Sequence, residues 1–253
     1  MPDAPTLTPW LDAVRANAAA QFATADAPSV VDEVWRYSRI NDVDLHAYSP
    51  VEAGAASTID PMNIDGAAAT VVIRDGHVTT LNRTDALGKA TVNIIGEHAD
   101  GEALLNSVRG DALDAISHLH DAHVGDVIVI DVPRGHHVAA PIVIDVYSNV
   151  DGGLTCPHTI VRAANGASVS VFERRRSGEA NQLVVLIVEL DAAPDARIGY
   201  LVAQQLGPNT TSLEHHVSQA EQQAHIICSM AAFGGSYART PVSYTHLTLP
   251  TKA

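Results

Sequence analysis

Between Pro141 and Arg239 short aliphatic runs recur at nearly constant spacing. Ile142-Val143-Ile144, Val169-Ser170-Val171, Ile198-Gly199-Tyr200-Leu201 and Ile226-Ile227 begin 27, 29 and 28 residues apart. Second strands lie between them, such as Thr159-Ile160-Val161-Arg162 and the run Leu183 to Leu190. Turn chemistry separates the runs: Asn149 to Gly153, Asn165-Gly166, Ser177-Gly178, Ala193-Pro194-Asp195 and Gly207-Pro208-Asn209. Strands recurring without intervening helices, at a period in the solenoid range, predict stacked β-coils. No single coil buries its inward row without its neighbours. The pattern predicts a parallel β-helix.

Upstream, the periodicity changes. Thr8 is placed to cap a helix that starts at Pro9 and lines up Leu11, Val14 and Ala18 on one face. Pro28 is expected to end it, and Ser29 to cap a second helix with a stripe of Val30, Val34 and Tyr37. Residues 49–68, rich in Ala, Gly, Ser and Pro, resemble a linker. Strands are expected at 69–73, 77–81 and 91–95, the first two joined by an Asp75-Gly76 hairpin. Leu113, Ile116 and Leu119 give 111–120 a helical pattern, and Val127 to Val132 is expected to open the solenoid after Gly125-Asp126. The expected division is 1–125 as a helical and α/β region, 126–240 as the β-helix, and 241–253 as a non-native tail.

Composition narrows the function classes. The chain has 253 residues and a net charge of −14 with only 15 Lys and Arg, which argues against nucleic acid. Aromatic content of 4% leaves an interior of Val, Ile, Leu and Ala, as a narrow solenoid requires. It also weighs against a carbohydrate-active β-helix, which needs aromatic sugar platforms beside paired carboxylates. The two cysteines, Cys156 and Cys228, fit no CxxC or zinc spacing and imply no disulfide framework. The start Met1-Pro2-Asp3-Ala4-Pro5 lacks the basic and apolar parts of a signal peptide. A cytoplasmic protein is expected.

Several motifs, taken in order, carry a resemblance. Glu33-Val34-Trp35-Arg36-Tyr37-Ser38 is followed by Ala112 to Val132, Val132-Pro133-Arg134-Gly135 and Ala140 to Ile144. His158-Thr159-Ile160-Val161, Val171-Phe172-Glu173 and Phe233-Gly234-Gly235 with Arg239 continue the series. In this order they resemble the SufB/SufD scaffold family of iron–sulfur cluster assembly. The short N-terminal region, and the lack of an extended Cys-containing segment after Phe172-Glu173-Arg174, favour its SufD branch. The resemblance implies a right-handed parallel β-helix between helical regions; the right hand also follows from the rule for parallel crossovers. It implies a non-catalytic scaffold that assembles with a SufB-like subunit and a SufC-like ATPase. It implies no cofactor bound by this chain alone, the cluster being handled transiently by the assembled complex.

The pattern departs from the family after Thr240. Pro241 to Ala253 is similar to a translated library adaptor, so a SufD chain cut before its partner contacts is expected, with an uncovered coil end prone to self-association.

Candidate chemistry is sparse. Gly88-Lys89 lacks the earlier glycine and the following Ser or Thr of a nucleotide loop. Histidines are the tempting feature: His118, His120, His123, His136, His137 and His158, with Cys156 beside the last, and His215-His216. A cupin-like metal enzyme built on them is the alternative reading. Yet i and i+2 on a helix point apart, and adjacent strand residues face opposite ways. A structural or solvated role is expected for them, and no catalytic, cofactor or metal ligand is assigned. Cys228, within an aliphatic row, is expected to be a buried, inert thiol. Cys156, next to a turn, is expected to be exposed. Arg174-Arg175-Arg176 is expected at a solvated coil corner.

Overall fold

The computed structural model describes residues 9–54, 64–112 and 114–246. Thr8, Leu113 and the last seven residues of the tail lie outside them, as does the middle of the expected linker. The fold is mainly β, with a parallel β-solenoid of about four turns behind a few N-terminal helices.

Helix α1 spans Pro9–Phe22 and buries Leu11 and Ala18. The second expected helix is not an α-helix. Glu33–Trp35 forms a single 3-10 turn, and Val30, Val34 and Tyr37 are exposed while Trp35 is buried. One aromatic side chain, rather than an apolar stripe, anchors this segment. Trp35 Nε1 donates to Asp114 Oδ2 at 2.9 Å, which satisfies the indole N–H inside an apolar cluster.

Strand β1 (Ser49–Pro50) follows, then β2 (Ala69–Arg74), β3 (His77–Arg83) and β4 (Thr91–Ile94). Strands β2 and β3 form the expected antiparallel hairpin. Its turn residues Asp75 and Gly76 have φ of 50° and 87°, the pair of left-handed conformations that a two-residue hairpin demands. Helix α2 (Gly101–Leu104) and helix α3 (Ala115–His123) come next, the latter capped by Asp114, whose side chain accepts from Ser117 N.

From here the chain alternates between two sheets. Strands β5 (Val127–Val132), β7 (Gly153–Thr155), β8 (His158–Ala163), β10 (Gln182–Ala192) and β12 (Thr210–Ala220) lie in one. Strands β6 (Ile142–Ser148), β9 (Ser168–Ser177), β11 (Arg197–Gln205) and β13 (His225–Ala232) lie in the other. The last strands, β14 (Tyr237–Arg239) and β15 (Val242–His246), return to the first sheet and pair in parallel with β12.

Four sequence expectations change here. Ile142 pairs with Val171, not Val169, so the first coil repeat is 29 residues rather than 27. Strand β2 pairs in parallel with β6, so parallel stacking begins at Ala69 and not at Val127. Val242–His246 also continues the stack, although the aliphatic pattern stops at Thr240. Part of the linker is likewise tied in, since β1 pairs with β7.

Burial explains the strand composition. Strand β11 alternates, with Ile198, Tyr200, Val202 and Gln204 inward, because the outer face of its sheet meets solvent. Strand β10 is buried at ten of its eleven positions. Its inward Val184, Leu186 and Val188 meet the facing sheet, while Leu183 and Val185 pack outward against Trp35, Ile116 and Leu119. A strand covered on both sides reads as a continuous aliphatic run. Corners stack tightly: a Cβ on Gly207 would sit 1.8 Å from Gly178 O in the coil before it, so only glycine fits. No helix among the described residues is long and apolar enough to cross a membrane.

Candidate functional site

Two clusters of buried polar side chains interrupt the aliphatic interior. The first lies outside the solenoid, where α3 covers the first sheet. Strand β8 supplies His158, β10 supplies Glu189, and α3 supplies His120 and Asp121. His158 Nε2 is 2.9 Å from Glu189 Oε1, and Glu189 Oε2 accepts the backbone N–H groups of Val108 and Arg109 at 2.7 and 2.9 Å. Burial works against ionisation of Glu189, but the His158 hydrogen bond and the two N–H donors hold its carboxyl below the usual range. His120 Nδ1 is 2.9 Å from Asp121 Oδ1, and Arg109 closes the other side of Asp121. Burial pushes His120 down to about 4, against the opposing pull of its Asp121 hydrogen bond. Asp121 is held low, despite burial, by His120 and Arg109.

Cys156 sits in the same region and is buried, contrary to the sequence expectation. The turn it borders is covered by the Trp35 cluster rather than open to water. Burial, with the charge of Asp121, pushes its thiol well above the ordinary range and favours the neutral form over the thiolate.

The second cluster lies inside the solenoid, towards its last coils. Arg175 is not at a solvated corner: it is within β9 and only 3% exposed. It bridges Glu173 Oε2 at 2.7 Å and Glu214 Oε2 at 2.5 Å, and Tyr200 Oη donates to Glu173 Oε2 at 2.6 Å. His216 Nε2 lies 3.3 Å from Arg175 Nη2 and 3.6 Å from Glu214 Oε2. Burial opposes ionisation of Glu214, but the Arg175 charge pulls it down to about 2. Its flanking arginines diverge. Arg176 pairs with Asp145 at 2.6 Å, and Arg174 reaches Gln205 on the outer face. Strand alternation put the middle arginine inside, a point that a run of three identical charges concealed.

Cys228 completes this cluster. Its strand position pairs with Tyr200, so its side chain faces inward, and Sγ is 3.7 Å from His216 Nδ1. It is exposed rather than buried, because no described strand stacks beyond β13. The expectations for the two cysteines are therefore reversed. Arg175 Nε and Gln204 Oε1 are buried in this interior without a hydrogen-bond partner. The sequence signal that finds the cluster is the set of polar residues at inward positions of β9 and β12: Glu173, Arg175, Glu214 and His216.

The remaining histidines are scattered. His136 Nε2 meets Leu87 O at 3.0 Å, whereas His137 Nδ1 meets Ser168 Oγ at 2.8 Å on another element. His118 and His215 line an external cavity of about 620 Å³ between the Trp35 segment, α3 and β12. Among the described residues, no three or more of His, Cys, Asp and Glu are placed to hold a metal ion. The ligand set of a cupin-like enzyme is not assembled.

The solenoid that carries the inner cluster is also the part with a known likeness. Residues 146–248 match the family model described as SUF system FeS cluster assembly, SufBD core domain. This match supports the SufB/SufD family. The matched stretch runs from the end of β6 through β15, and takes in Arg175, Glu214, His216 and Cys228. No curated protein matches the chain.

Proposed function

We propose that the chain is a non-catalytic, cytoplasmic scaffold subunit of SUF iron–sulfur cluster assembly, of the SufD type. In this reading it pairs with a SufB-like subunit and a SufC-like ATPase, and carries no resident cluster of its own. The observation that supports it is the SufBD core match over residues 146–248, whose described part, 146–246, lies in the parallel solenoid. The short connection between β9 and β10, residues 178–181, favours SufD, since it leaves no room for an inserted Cys-containing segment.

A scaffold role suits the architecture. Parallel coils in continuous register form a stiff rod, and among the described residues the outer face of the second sheet is exposed and can meet other subunits. The test is co-expression of the chain with a SufB-like and a SufC-like protein, followed by affinity capture and size-exclusion chromatography. A co-eluting complex whose ATPase activity depends on the SufC-like subunit supports the reading. Partners that elute separately, or ATP hydrolysis by the chain alone, would sink it.

A further inference from the structure

The outer face of the second sheet gathers arginines in an otherwise acidic chain. Ile198, Tyr200 and Val202 of β11 and Val169 and Val171 of β9 point into the core. By alternation, Arg197, Leu201 and Gln205 point outward, beside Phe172, Arg174 and Arg176 of β9. The chain has 29 acidic residues against 15 Lys and Arg. Yet Asp145 is the one acid at the outward positions of β6, β9 and β11, and it is buried against Arg176. Arg174 donates to Gln205 Oε1 at 3.0 Å, and among the described residues no carboxylate pairs with Arg174 or Arg197. Acids return only at the corners, with Asp195 two residues before Arg197.

An apolar step lies between these two cations. Leu201 is 47% exposed, although β11 is an inner strand with β9 on one side and β13 on the other. Phe172 is its direct cross-strand partner. Their neighbours on the same face, Ser170, Gly199 and Ala203, are small, so the two large side chains stand above them. Arg174 lies level with Ala203, two residues beyond Leu201, and Arg197 lies four residues before it. At strand rise these separations are about 7 and about 13 Å.

Charge and shape together select the occupant. A nucleic acid needs more phosphate contacts than two cations supply, and offers no side chain to the apolar step. An anionic bilayer would meet the acidic corners as well as the arginines, in a chain of net charge −14. Carboxylates suit the planar guanidinium fork, and a narrow segment reaches the face without touching the corners. We propose that this face docks an extended acidic segment of a partner protein. An apolar side chain of the segment rests on Phe172 and Leu201, and its carboxylates on either side meet Arg174 and Arg197. The surface is independent of the SUF assignment, because segment binding is measured on this chain alone.

The test is fluorescence anisotropy of a labelled synthetic peptide, with glutamates at both ends and a central pair of leucines, titrated with the full chain at low salt. Binding is expected, and is expected to weaken as salt rises. The same peptide with lysine for glutamate is expected not to bind. Arg174→Glu is expected to weaken binding by about tenfold, and Leu201→Ser by a similar factor. Neither residue belongs to a core cluster, so both variants are expected to keep the wild-type melting curve. A benzophenone at the centre of the peptide is expected to crosslink to β9 or β11, a readout that needs no variant. No binding at low salt, equal binding of the lysine peptide, crosslinks elsewhere, or indifference to Arg174→Glu would each overturn the proposal. So would tighter binding of a single-stranded oligonucleotide or of phosphatidylglycerol vesicles.

Discussion

His158 and Glu189 face each other at 2.9 Å, and neither side chain has measurable exposure. They belong to adjacent parallel strands, and Glu189 also receives the N–H groups of Val108 and Arg109. The pair therefore ties the loop after α2 to the outer face of the solenoid. Removing one partner of a buried pair leaves the other uncompensated, at a cost of about 3–5 kcal/mol. Glu189→Ala is expected to lower the unfolding free energy from urea titration by that amount, and to speed hydrogen exchange at Val108 and Arg109 before the solenoid strands. Unchanged protection of those two amides would refute the tie.

His120 sets an acid limit. Its folded-state value, about 4, lies below the ordinary 6.5 because burial penalises the charged ring. The unfolded chain therefore binds the extra proton first, and stability must fall as pH drops from 6.5 through 4. Its contribution is fully present above pH 6.5. The expected result is a melting temperature that declines across this window, with a shallower decline in His120→Gln. Equal slopes for the two proteins would show that another group controls acid unfolding.

The inner charge cluster invites a paired comparison. Arg175→Met leaves Glu173 and Glu214 buried together without their cation, and is expected to destabilise by about 3–5 kcal/mol. Replacing the cluster as a unit, Glu173→Gln with Arg175→Met and Glu214→Gln, removes the buried charge and is expected to recover most of that loss. Urea unfolding of both variants decides the matter. A triple variant no more stable than the single one would mean that packing, not uncompensated charge, sets the cost.

The contrast between what the sequence shows and what it hides has physical causes. The solenoid was legible because each coil repeats the same inward aliphatic requirement, and the Asp75-Gly76 hairpin because only a few residues tolerate its backbone. Exact register was not: Ile142 pairs two residues beyond the obvious match, at Val171, and both choices put aliphatic side chains inward. Exposure of the cysteines depends on neighbours far away in sequence. Cys156 is covered by the Trp35 segment, more than a hundred residues earlier, and Cys228 is open because of its place in the stack. Arg175 went unseen for a different reason. Charge runs usually lie on surfaces, and here only strand alternation sends the middle residue inward to two carboxylates.

The last coil carries the final prediction. Ile227, Phe233, Val242 and Tyr244 are 68%, 73%, 67% and 58% exposed, on strands or corners whose far edges pair with nothing among the described residues. Each aliphatic side chain taken out of water contributes roughly 1.5–3 kcal/mol, and an open parallel edge offers backbone donors and acceptors besides. Two chains meeting at this end would satisfy both demands at once. The chain is therefore expected to self-associate with rising concentration, seen as a growing sedimentation coefficient in analytical ultracentrifugation. Ile227→Glu combined with Phe233→Lys places charges at that end without touching the interior, and is expected to restore a monomer with an unchanged melt. A wild-type chain that stays monomeric at every concentration would mean that the twist of the last strands, or the surrounding acidic surface, is enough to keep the edge apart.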